Sequence, residues 1–308
     1  MKRYVVGIDV GGTNVKLGLV DSRGCIRAKT HLSTKSYRRD KNQLIQALLK
    51  ATDALLGNAG LKKKNILGIG IGLPGLINSQ KGIVEFLPNI PGWKRVPLKR
   101  IIQNKTKIPT FIDNDVNIIT LGEWKFGAGC GYENLVCVTL GTGVGGGLIL
   151  NNALYRGEGF VAGEIGHVPL NEQGPDCDCG GFGCFEQYVG NQQILSRARQ
   201  IFGNKNLQLQ DIDRLAEKGQ RQAKAFWDEI ATHIGNGLIS VVNVLNPRLI
   251  IMGGGVSNAY PFMRKTILDV IKKRAMKVQS RMVKITRAKL GNDAGIIGAE
   301  VLIRSSTL

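Results

Sequence analysis

Short apolar runs separated by glycine-rich turns recur in the first third of the chain, and they predict β-strands. Residues Tyr4 to Val10 and Val15 to Val20 are two such runs, with the letters GGT between them. A third strand is predicted around KTHL after Gly24, and a buried one from Ile66 to Gly75, which ends in a Pro-Gly turn. This region is therefore expected to form a sheet of closely spaced strands.

Apolar residues at helical spacing predict the helices. In Gln43 to Leu56 the apolar residues Leu44, Leu48, Leu55 and Leu56 have helical spacing, and Val116 to Phe126 follows the letters DND. Later in the chain the same spacing predicts helices over Phe185 to Ile201, Ala223 to Leu245, Tyr260 to Arg274 and Asp293 to Ile303, with a short strand over Leu249 to Met252. Because strands and helices alternate, we expect an α/β protein.

The opening pattern returns in the middle of the chain. The letters LVCVTLGTGVGGGLIL repeat the order of apolar run, Gly-Thr turn and apolar run. This weak repeat predicts two similar α/β halves, each starting with a glycine-turned hairpin. We expect a small N-terminal domain over residues 1–113 and a larger domain over 114–292, with a C-terminal helix over 293–308 that packs back onto the first.

Composition and charge narrow the class of protein. The 308 residues are 43% hydrophobic and carry a formal charge of +19. An anionic partner or a lysine-rich solvated surface would explain this charge, and the small scattered basic groups favour the surface, which makes nucleic acid unlikely as a partner. Asp9 interrupts the N-terminal apolar run before a signal peptide could form, and no run is apolar enough to span a bilayer. A cytoplasmic protein without disulfides is expected.

Three glycine-rich turns, DVGGTN, GTGVGG and GGGVS, each follow an apolar run. Backbone N–H groups at such turns can bind phosphates, so three of them predict a nucleotide site. The second turn matches the dinucleotide pattern through Gly141, Gly143 and Gly146, but that pattern requires a helix next, and here the sequence continues as a strand. No P-loop motif occurs.

This order of strands and glycine turns resembles the actin-like ATPase (ribonuclease H-like) fold of sugar kinases, heat-shock ATPases and actin. The resemblance implies two similar α/β domains around a cleft, where the two hairpin turns hold the phosphates of Mg-ATP. It also implies that Asp9, at the end of the first strand, lies near the Mg²⁺ and binds it through water. A turn-capping role for Asp9 is the alternative.

The letters FIDNDVN place Asp113, Asn114 and Asp115 between a strand and a helix. A sugar kinase needs a base directed at the reacting hydroxyl and a group that fixes the ring, and a neighbouring carboxylate and amide supply both. Asn and Asp also cap helix N-termini routinely. The sequence leaves both interpretations open.

A cysteine-rich stretch, DCDCGGFGCFE, follows the letters GEIGH. One histidine and three cysteines, His167, Cys177, Cys179 and Cys184, are enough for a closed tetrahedral zinc site. Four protein ligands leave no position for an activated water, so we expect a structural zinc. Buried thiols or a redox C-x-C pair would leave the nearby histidine unexplained.

The motifs DVGGT, DNDVN, LGTGVGGGLI, GEIGH and CDCGGFGCFE occur in the order and spacing of the ROK family of repressors and sugar kinases, and the resemblance covers essentially the whole chain. It implies that Asp115 is the catalytic base. The implied sugar contacts are Gly75, Asn114, Asp115, Glu164, His167 and Glu186. The implied contacts with ATP are Asp9, Gly11, Gly12, Thr13, Gly141, Thr142, Gly143, Gly254 and Gly255.

The predicted function is ATP-dependent phosphorylation of a hexose, with glucose as the favoured substrate and glucose 6-phosphate as product. The letters LPNIPGWKRVPL resemble the glucokinase branch of the family, where Asn89 would contact the sugar. N-acetylmannosamine and N-acetylglucosamine are the next candidates, then fructose or allose. A sugar-responsive repressor, which would carry a helix-turn-helix domain ahead of the first strand, and a chaperone-like or filament-forming ATPase are the alternatives from other classes. The family resemblance also implies a homodimer or homotetramer.

Overall fold

A computed structural model of the chain describes residues 3–37, 40–87 and 92–307. Contacts divide the chain into two compact units, each built from separate stretches. The first unit contains residues 1–131, 147–162 and 289–308, and the second contains 132–146 and 163–288. The domain boundaries expected from the sequence, at residues 113 and 292, stay a prediction.

Thirteen strands lie in the described part of the chain: β1 Tyr4–Val10, β2 Asn14–Val20, β3 Ile26–Ser33, β4 Ile66–Leu73, β5 Leu76–Asn78, β6 Ile83–Phe86, β7 Lys94–Val96, β8 Thr110–Asn114, β9 Leu135–Leu140, β10 Val144–Leu150, β11 Ala153–Tyr155, β12 Leu249–Gly253 and β13 Lys284–Arg287. Ten α-helices lie in the same residues: α1 Lys41–Asn58, α2 Leu98–Thr106, α3 Asp115–Phe126, α4 Glu186–Val189, α5 Asn191–Phe202, α6 Leu209–Glu217, α7 Arg221–Leu245, α8 Tyr260–Arg274, α9 Lys277–Met282 and α10 Ala294–Thr307.

The main sheet of the first unit has the order β3-β2-β1-β4-β8. β1 and β2 form the predicted antiparallel hairpin, while β4 runs parallel to both β1 and β8. β4, the central strand of this parallel set, has no polar side chain and is buried along almost its whole length, as expected for a strand covered on both faces. Helix α1 contributes Leu44 and Leu48 to the same core, and both are essentially inaccessible to solvent.

Helix α10 packs directly on the backbone of this sheet. A Cβ atom at Gly7 would lie 2.3 Å from the carbonyl oxygen of Ile296, and one at Gly70 would lie 2.8 Å from the Cβ atom of Ala299. Glycine at these two strand positions therefore allows the helix to approach closely. The segment before α10 is held by the buried Glu123 carboxylate, which accepts hydrogen bonds from the backbone N–H groups of Lys289 and Leu290.

A second five-stranded sheet has the order β11-β10-β9-β12-β13. Within it, β12 runs parallel to β9 and to β13, and β10 is antiparallel to β11. In the second unit, helices α7 and α8 pack against one another. The apolar face of α7 that the sequence predicts is buried, with Phe226, Ile230 and Ile234 at 2% exposure or less.

The sequence pattern missed a small antiparallel sheet of β5, β6 and β7, together with α2 and α6. These strands have three or four residues each, too short for a period of two to be visible. The predicted single helix over Phe185 to Ile201 is wrong, because the chain forms α4 and α5 with a break at Gly190. That residue is extended, with ψ of 150°, and a Cβ there would lie 2.9 Å from the carbonyl oxygen of Glu186.

Among the residues that the structure describes, no helix combines the length and the apolar character needed to cross a membrane.

Candidate functional site

The four predicted metal ligands of the second unit lie together. The ligand atoms of His167, Cys177, Cys179 and Cys184 are all within 4.8 Å of one another. Nδ1 of His167 is 3.6 Å from Sγ of Cys177, and the Sγ atoms of Cys179 and Cys184 are 3.7 Å apart. In a tetrahedral zinc site, bond lengths of about 2.3 Å to sulfur and about 2.05 Å to nitrogen separate two sulfurs by about 3.8 Å, and sulfur from nitrogen by about 3.6 Å. The residues therefore fit zinc.

The loop that carries the cysteines is folded by its own backbone. The N–H of Cys177 donates to the carbonyl of Gly181, and the N–H of Gly180 donates to the carbonyl of Cys177. Gly183 has φ of 63°, and a Cβ atom there would overlap the carbonyl oxygen of Asn171. The glycines between the cysteines are therefore required for the tight turns that bring the thiols together.

The imidazole of His167 faces two different groups. Its Nδ1 points to the cysteines, while its Nε2 is 3.9 Å from Oε2 of Glu164. His167 is the last residue of a short 3-10 turn over Ile165–His167, and Glu164 is the N-cap of that turn, which fixes their relative position. If Nδ1 is bound to a metal, Nε2 carries the proton and can donate a hydrogen bond on the side of Glu164.

Glu186 has a contact that the sequence did not predict. Its Oε2 accepts a hydrogen bond of 2.7 Å from the N–H of Val144, the residue that follows the second glycine turn. A Cβ atom at Gly143 would lie 2.4 Å from the same oxygen. The carboxylate that closes the cysteine stretch therefore lies directly against the turn predicted to bind phosphate.

Two further glycines lie beside the strand that leads into this turn. Gly254 has φ of 81°, and a Cβ atom on it would lie 2.2 Å from the carbonyl oxygen of Leu140. Gly141 follows Leu140 directly and accepts a backbone hydrogen bond from Asn191, the first residue of α5. The predicted adenosine-side glycines, Gly254 and Gly255, and the predicted phosphate turn thus belong to one local structure.

The first glycine turn lies in the first unit and has its own support. The N–H of Gly11 donates to the carbonyl of Asn14 over 2.9 Å, which closes the turn. The buried Thr34 donates its hydroxyl to the carbonyl of Gly11 over 2.8 Å and its N–H to the carbonyl of Thr13 over 2.9 Å. Gly12 and Thr13 are exposed, so their backbone is accessible to a ligand.

Asp9 is the next-to-last residue of β1, immediately before this turn. Burial raises the pKa of the Asp9 carboxyl above its ordinary value, and the charge of Lys16, whose Nζ is 3.9 Å away, partly opposes that rise. Gly295 of α10 leaves room for this side chain, since a Cβ there would lie 2.7 Å from its Cγ. A buried carboxylate with a raised pKa beside a turn predicted to bind phosphate is a candidate functional residue.

Asn114 is the N-cap of α3, so the capping interpretation of this residue is correct. Its Oδ1 accepts hydrogen bonds from the N–H groups of Val116 and Asn117, at 2.9 and 3.3 Å. Its Nδ2 donates to the carbonyl of Gly75 over 3.3 Å, which brings two predicted sugar contacts together. Asp115 occupies the first position of the helix, where the macrodipole stabilises a carboxylate.

The structure thus brings the predicted site residues into two local groups. The group in the first unit contains Asp9, Gly11, Gly12, Thr13, Gly75, Asn114 and Asp115. The group in the second unit contains Gly141, Thr142, Gly143, Glu164, His167, Glu186, Gly254, Gly255 and the three cysteines. The predicted sugar contact Asn89 lies outside the described residues.

Three charged or polar residues that support these groups were missed by sequence reasoning. Thr34 braces the first turn, Glu123 holds the segment before α10, and Arg156 pairs with the buried Asp113 beside Asn114. Each acts on a residue at least 23 positions away in the chain. No spacing rule connects residues so far apart, and the letters around them carry no recognisable motif.

Known proteins of similar sequence and structure support the fold and the family that the sequence motifs predict. The model of the ROK family matches residues 5–306. A glucokinase of Halalkalibacterium halodurans is 35% identical over 98% of this chain and 95% of its own. A xylose repressor of Caldicellulosiruptor bescii is 30% identical over 99% of this chain and 79% of its own.

Among solved structures, a ROK family glucokinase from Streptomyces griseus in complex with glucose and AMPPNP matches with a TM-score of 0.80 and 30% identity, over 98% of this chain and 99% of that one. The fold is therefore that of the actin-like ATPases, as predicted. Within this class the chain belongs to the ROK family.

Proposed function

We propose that this protein is an ATP-dependent hexose kinase that converts glucose to glucose 6-phosphate. The observation that carries the proposal is the strand-to-helix junction at Asn114 and Asp115, where an amide anchored to Gly75 and a carboxylate at a helix N-terminus lie side by side. The names of the similar glucokinases favour glucose among the hexoses.

In the proposed reaction, Asp115 accepts the proton of the sugar hydroxyl while that oxygen attacks the γ-phosphorus of ATP. A bond forms between the hydroxyl oxygen and phosphorus, the bond from phosphorus to the β,γ-bridging oxygen breaks, and ADP leaves. Asn114 and Gly75 orient the sugar, so that the correct hydroxyl meets the base. Most of the rate increase comes from such positioning and from charge stabilisation of the transferred phosphoryl group.

The two glycine turns bind the phosphates through their backbone N–H groups. Mg²⁺, when bound, would neutralise phosphate charge, and Asp9 is the residue that would hold it. Gly254 and Gly255 line the adenosine side. This use of the turns needs no P-loop lysine, because fixed N–H dipoles provide the positive potential.

The other sugar hydroxyls are bound by Glu164, His167 and Glu186. His167, Cys177, Cys179 and Cys184 would hold a structural zinc, and with Nδ1 bound to it the imidazole of His167 would carry its proton on Nε2, where it can donate to a sugar hydroxyl. Metal analysis of the purified protein should find about one zinc per chain. Cys179→Ser should lower both the zinc content and the affinity for sugar. Full activity in a preparation without zinc would contradict this role.

The test of the proposed function is a coupled ADP-release assay across glucose, fructose, allose, N-acetylmannosamine and N-acetylglucosamine. Glucose should give the highest kcat/KM, and a higher value for an N-acetylhexosamine would move the assignment to that sugar. Asp115→Asn should lower kcat by about 10³-fold or more, since loss of a general base typically removes about 10² to 10⁴. Its glucose affinity, measured by calorimetry, should largely survive. Near-normal turnover in this variant would refute the base.

A further inference from the structure

Asp113 is a buried carboxylate directly before the proposed sugar-binding pair, and the reaction just described does not use it. Its side chain is 2% exposed, at the end of β8. Its Oδ1 accepts hydrogen bonds from the N–H of Asn114, at 2.8 Å, and from Nδ2 of Asn117, at 3.0 Å. The carboxylate thus fixes both the backbone at Asn114 and the first turn of α3.

The second oxygen of Asp113 is held by Arg156. The guanidinium donates to Oδ2 through Nε at 2.7 Å and through Nη2 at 2.6 Å. Each oxygen of the carboxylate therefore has two donors, so it has little freedom to rotate. A buried carboxylate without an opposite charge is costly, and the Arg156 side chain, itself only 26% exposed, supplies that charge.

We propose that Arg156 is a positioning residue for phosphoryl transfer, acting through Asp113 on the orientation of Asn114 and Asp115. Arg156 follows β11, on the excursion of the chain over 147–162 that belongs to the first unit. If the guanidinium is lost, the Asp113 carboxylate is left buried without its charge partner and turns away from the N–H of Asn114. The N-terminus of α3 then shifts, and the base no longer meets the hydroxyl. This inference rests on the proposed function, because it assigns a role in the same reaction.

The first unit contains a matched control pair. Arg27 holds the buried Asp21 in the same way, with Nε at 2.9 Å and Nη2 at 2.5 Å from a single carboxylate oxygen. The other oxygen of Asp21 also accepts backbone N–H groups, those of Arg23 and Cys25. This pair closes the turn between β2 and β3, and its hydrogen bonds involve none of the proposed site residues that the structure describes, so it shares the chemistry of the Asp113 pair without its location.

The experiment compares Arg156→Ala with Arg27→Ala, using thermal melting, the folded fraction, and kcat and KM for glucose and for ATP. Arg156→Ala should lower kcat of the folded enzyme by about 100-fold, since small misplacements of reacting groups have effects of this order. Its ATP KM should stay within about twofold, because the glycine turns keep their own supports. Arg27→Ala should melt earlier but keep the kcat of the folded enzyme.

Arg156→Lys provides a second test if the alanine variant does not fold. It retains the charge but not the two donors to Oδ2, so kcat should lie about tenfold below wild type, which is about tenfold above that of Arg156→Ala. Equal kcat values in folded Arg156→Ala and Arg27→Ala, or a wild-type kcat in Arg156→Lys with none of the predicted loss, would overturn the positioning role. Absence of ADP release from the wild-type chain with every hexose would instead refute the proposed function, so the two failures are distinguishable.

Discussion

The two glycine turns share one local design but have different supports. Both are closed by a backbone hydrogen bond of 2.9 Å within the turn, from Gly11 to Asn14 in the first and from Gly141 to Gly143 in the second. The first is braced by the neutral hydroxyl of Thr34, and the second by the carboxylate of Glu186. A repeated sequence pattern has therefore produced two turns whose surroundings are not equivalent.

This difference in supports goes with a difference in the proposed functions of the two turns. The first turn has a carboxylate behind it, Asp9, which is proposed to serve the metal. The carboxylate at the second turn, Glu186, both accepts from the turn backbone and is a proposed sugar ligand. Changes near the first turn should therefore affect ATP alone, while changes near the second should affect sugar and ATP together.

Among the changes that test this difference between the turns, the largest effect is expected from Asp9→Asn. Loss of the carboxylate weakens the proposed hold on Mg²⁺, so kcat should fall by about 100-fold or more, with a higher Mg²⁺ concentration needed for half-maximal rate. The raised pKa shows that ionisation of Asp9 is costly in the folded chain, so the melting temperature should stay equal or rise. Kinetics over a range of Mg²⁺ and a thermal melt measure both.

The matched control is Lys16→Met, which removes the charge facing Asp9 but leaves the carboxylate. It should change the Mg²⁺ requirement much less than Asp9→Asn. A lower melting temperature in Asp9→Asn, with unchanged kinetics, would make Asp9 a structural turn residue and remove the difference drawn between the two turns.

The sequence alone predicted the glycine turns but not the contacts that support them. The β1–β2 hairpin and the His167–cysteine cluster were predicted, because the residues involved lie close together in the chain and their types fix the chemistry. The bond from Val144 to Glu186 joins residues 42 positions apart, and that from Arg156 to Asp113 joins residues 43 apart. Such pairs depend on how distant elements pack, which local patterns do not encode.

The break at Gly190 is a second case in which a tertiary contact decided what the local sequence pattern could not. The apolar spacing over Phe185 to Ile201 is helical, and glycine inside a helical pattern is often tolerated. Here a tertiary contact accompanies the end of α4: Asn191, which follows Gly190, donates its N–H to the carbonyl of Gly141 in the second turn. The helical prediction failed at the point where the backbone forms a hydrogen bond with a residue far away in sequence.

Glu186→Gln tests whether one side chain serves both substrates. Glutamine keeps an oxygen that can accept from the N–H of Val144, but it loses the charge offered to the sugar. The glucose KM should rise about tenfold, in line with the loss of a charge-assisted hydrogen bond, and the ATP KM should change by less than about twofold. Glu186→Ala removes both contacts and should raise both KM values. An equal rise of the two KM values in Glu186→Gln would show that the charge itself supports the turn.

The smallest effect is expected from Thr34→Val. Valine has nearly the shape of threonine but cannot donate to the carbonyl of Gly11, so the change leaves a single acceptor without its partner at a buried position. The free energy of unfolding should fall by about 1 to 2 kcal/mol, and the ATP KM should rise about threefold as the first turn loosens. Thr34→Ser, which keeps the hydroxyl, is the control and should restore the ATP KM. The hydrogen bonds of Thr34 described above go to Gly11 and Thr13 of the first turn, so the glucose KM should not move in either variant. A parallel rise in the glucose KM would mean that the two turns are less independent than their supports indicate.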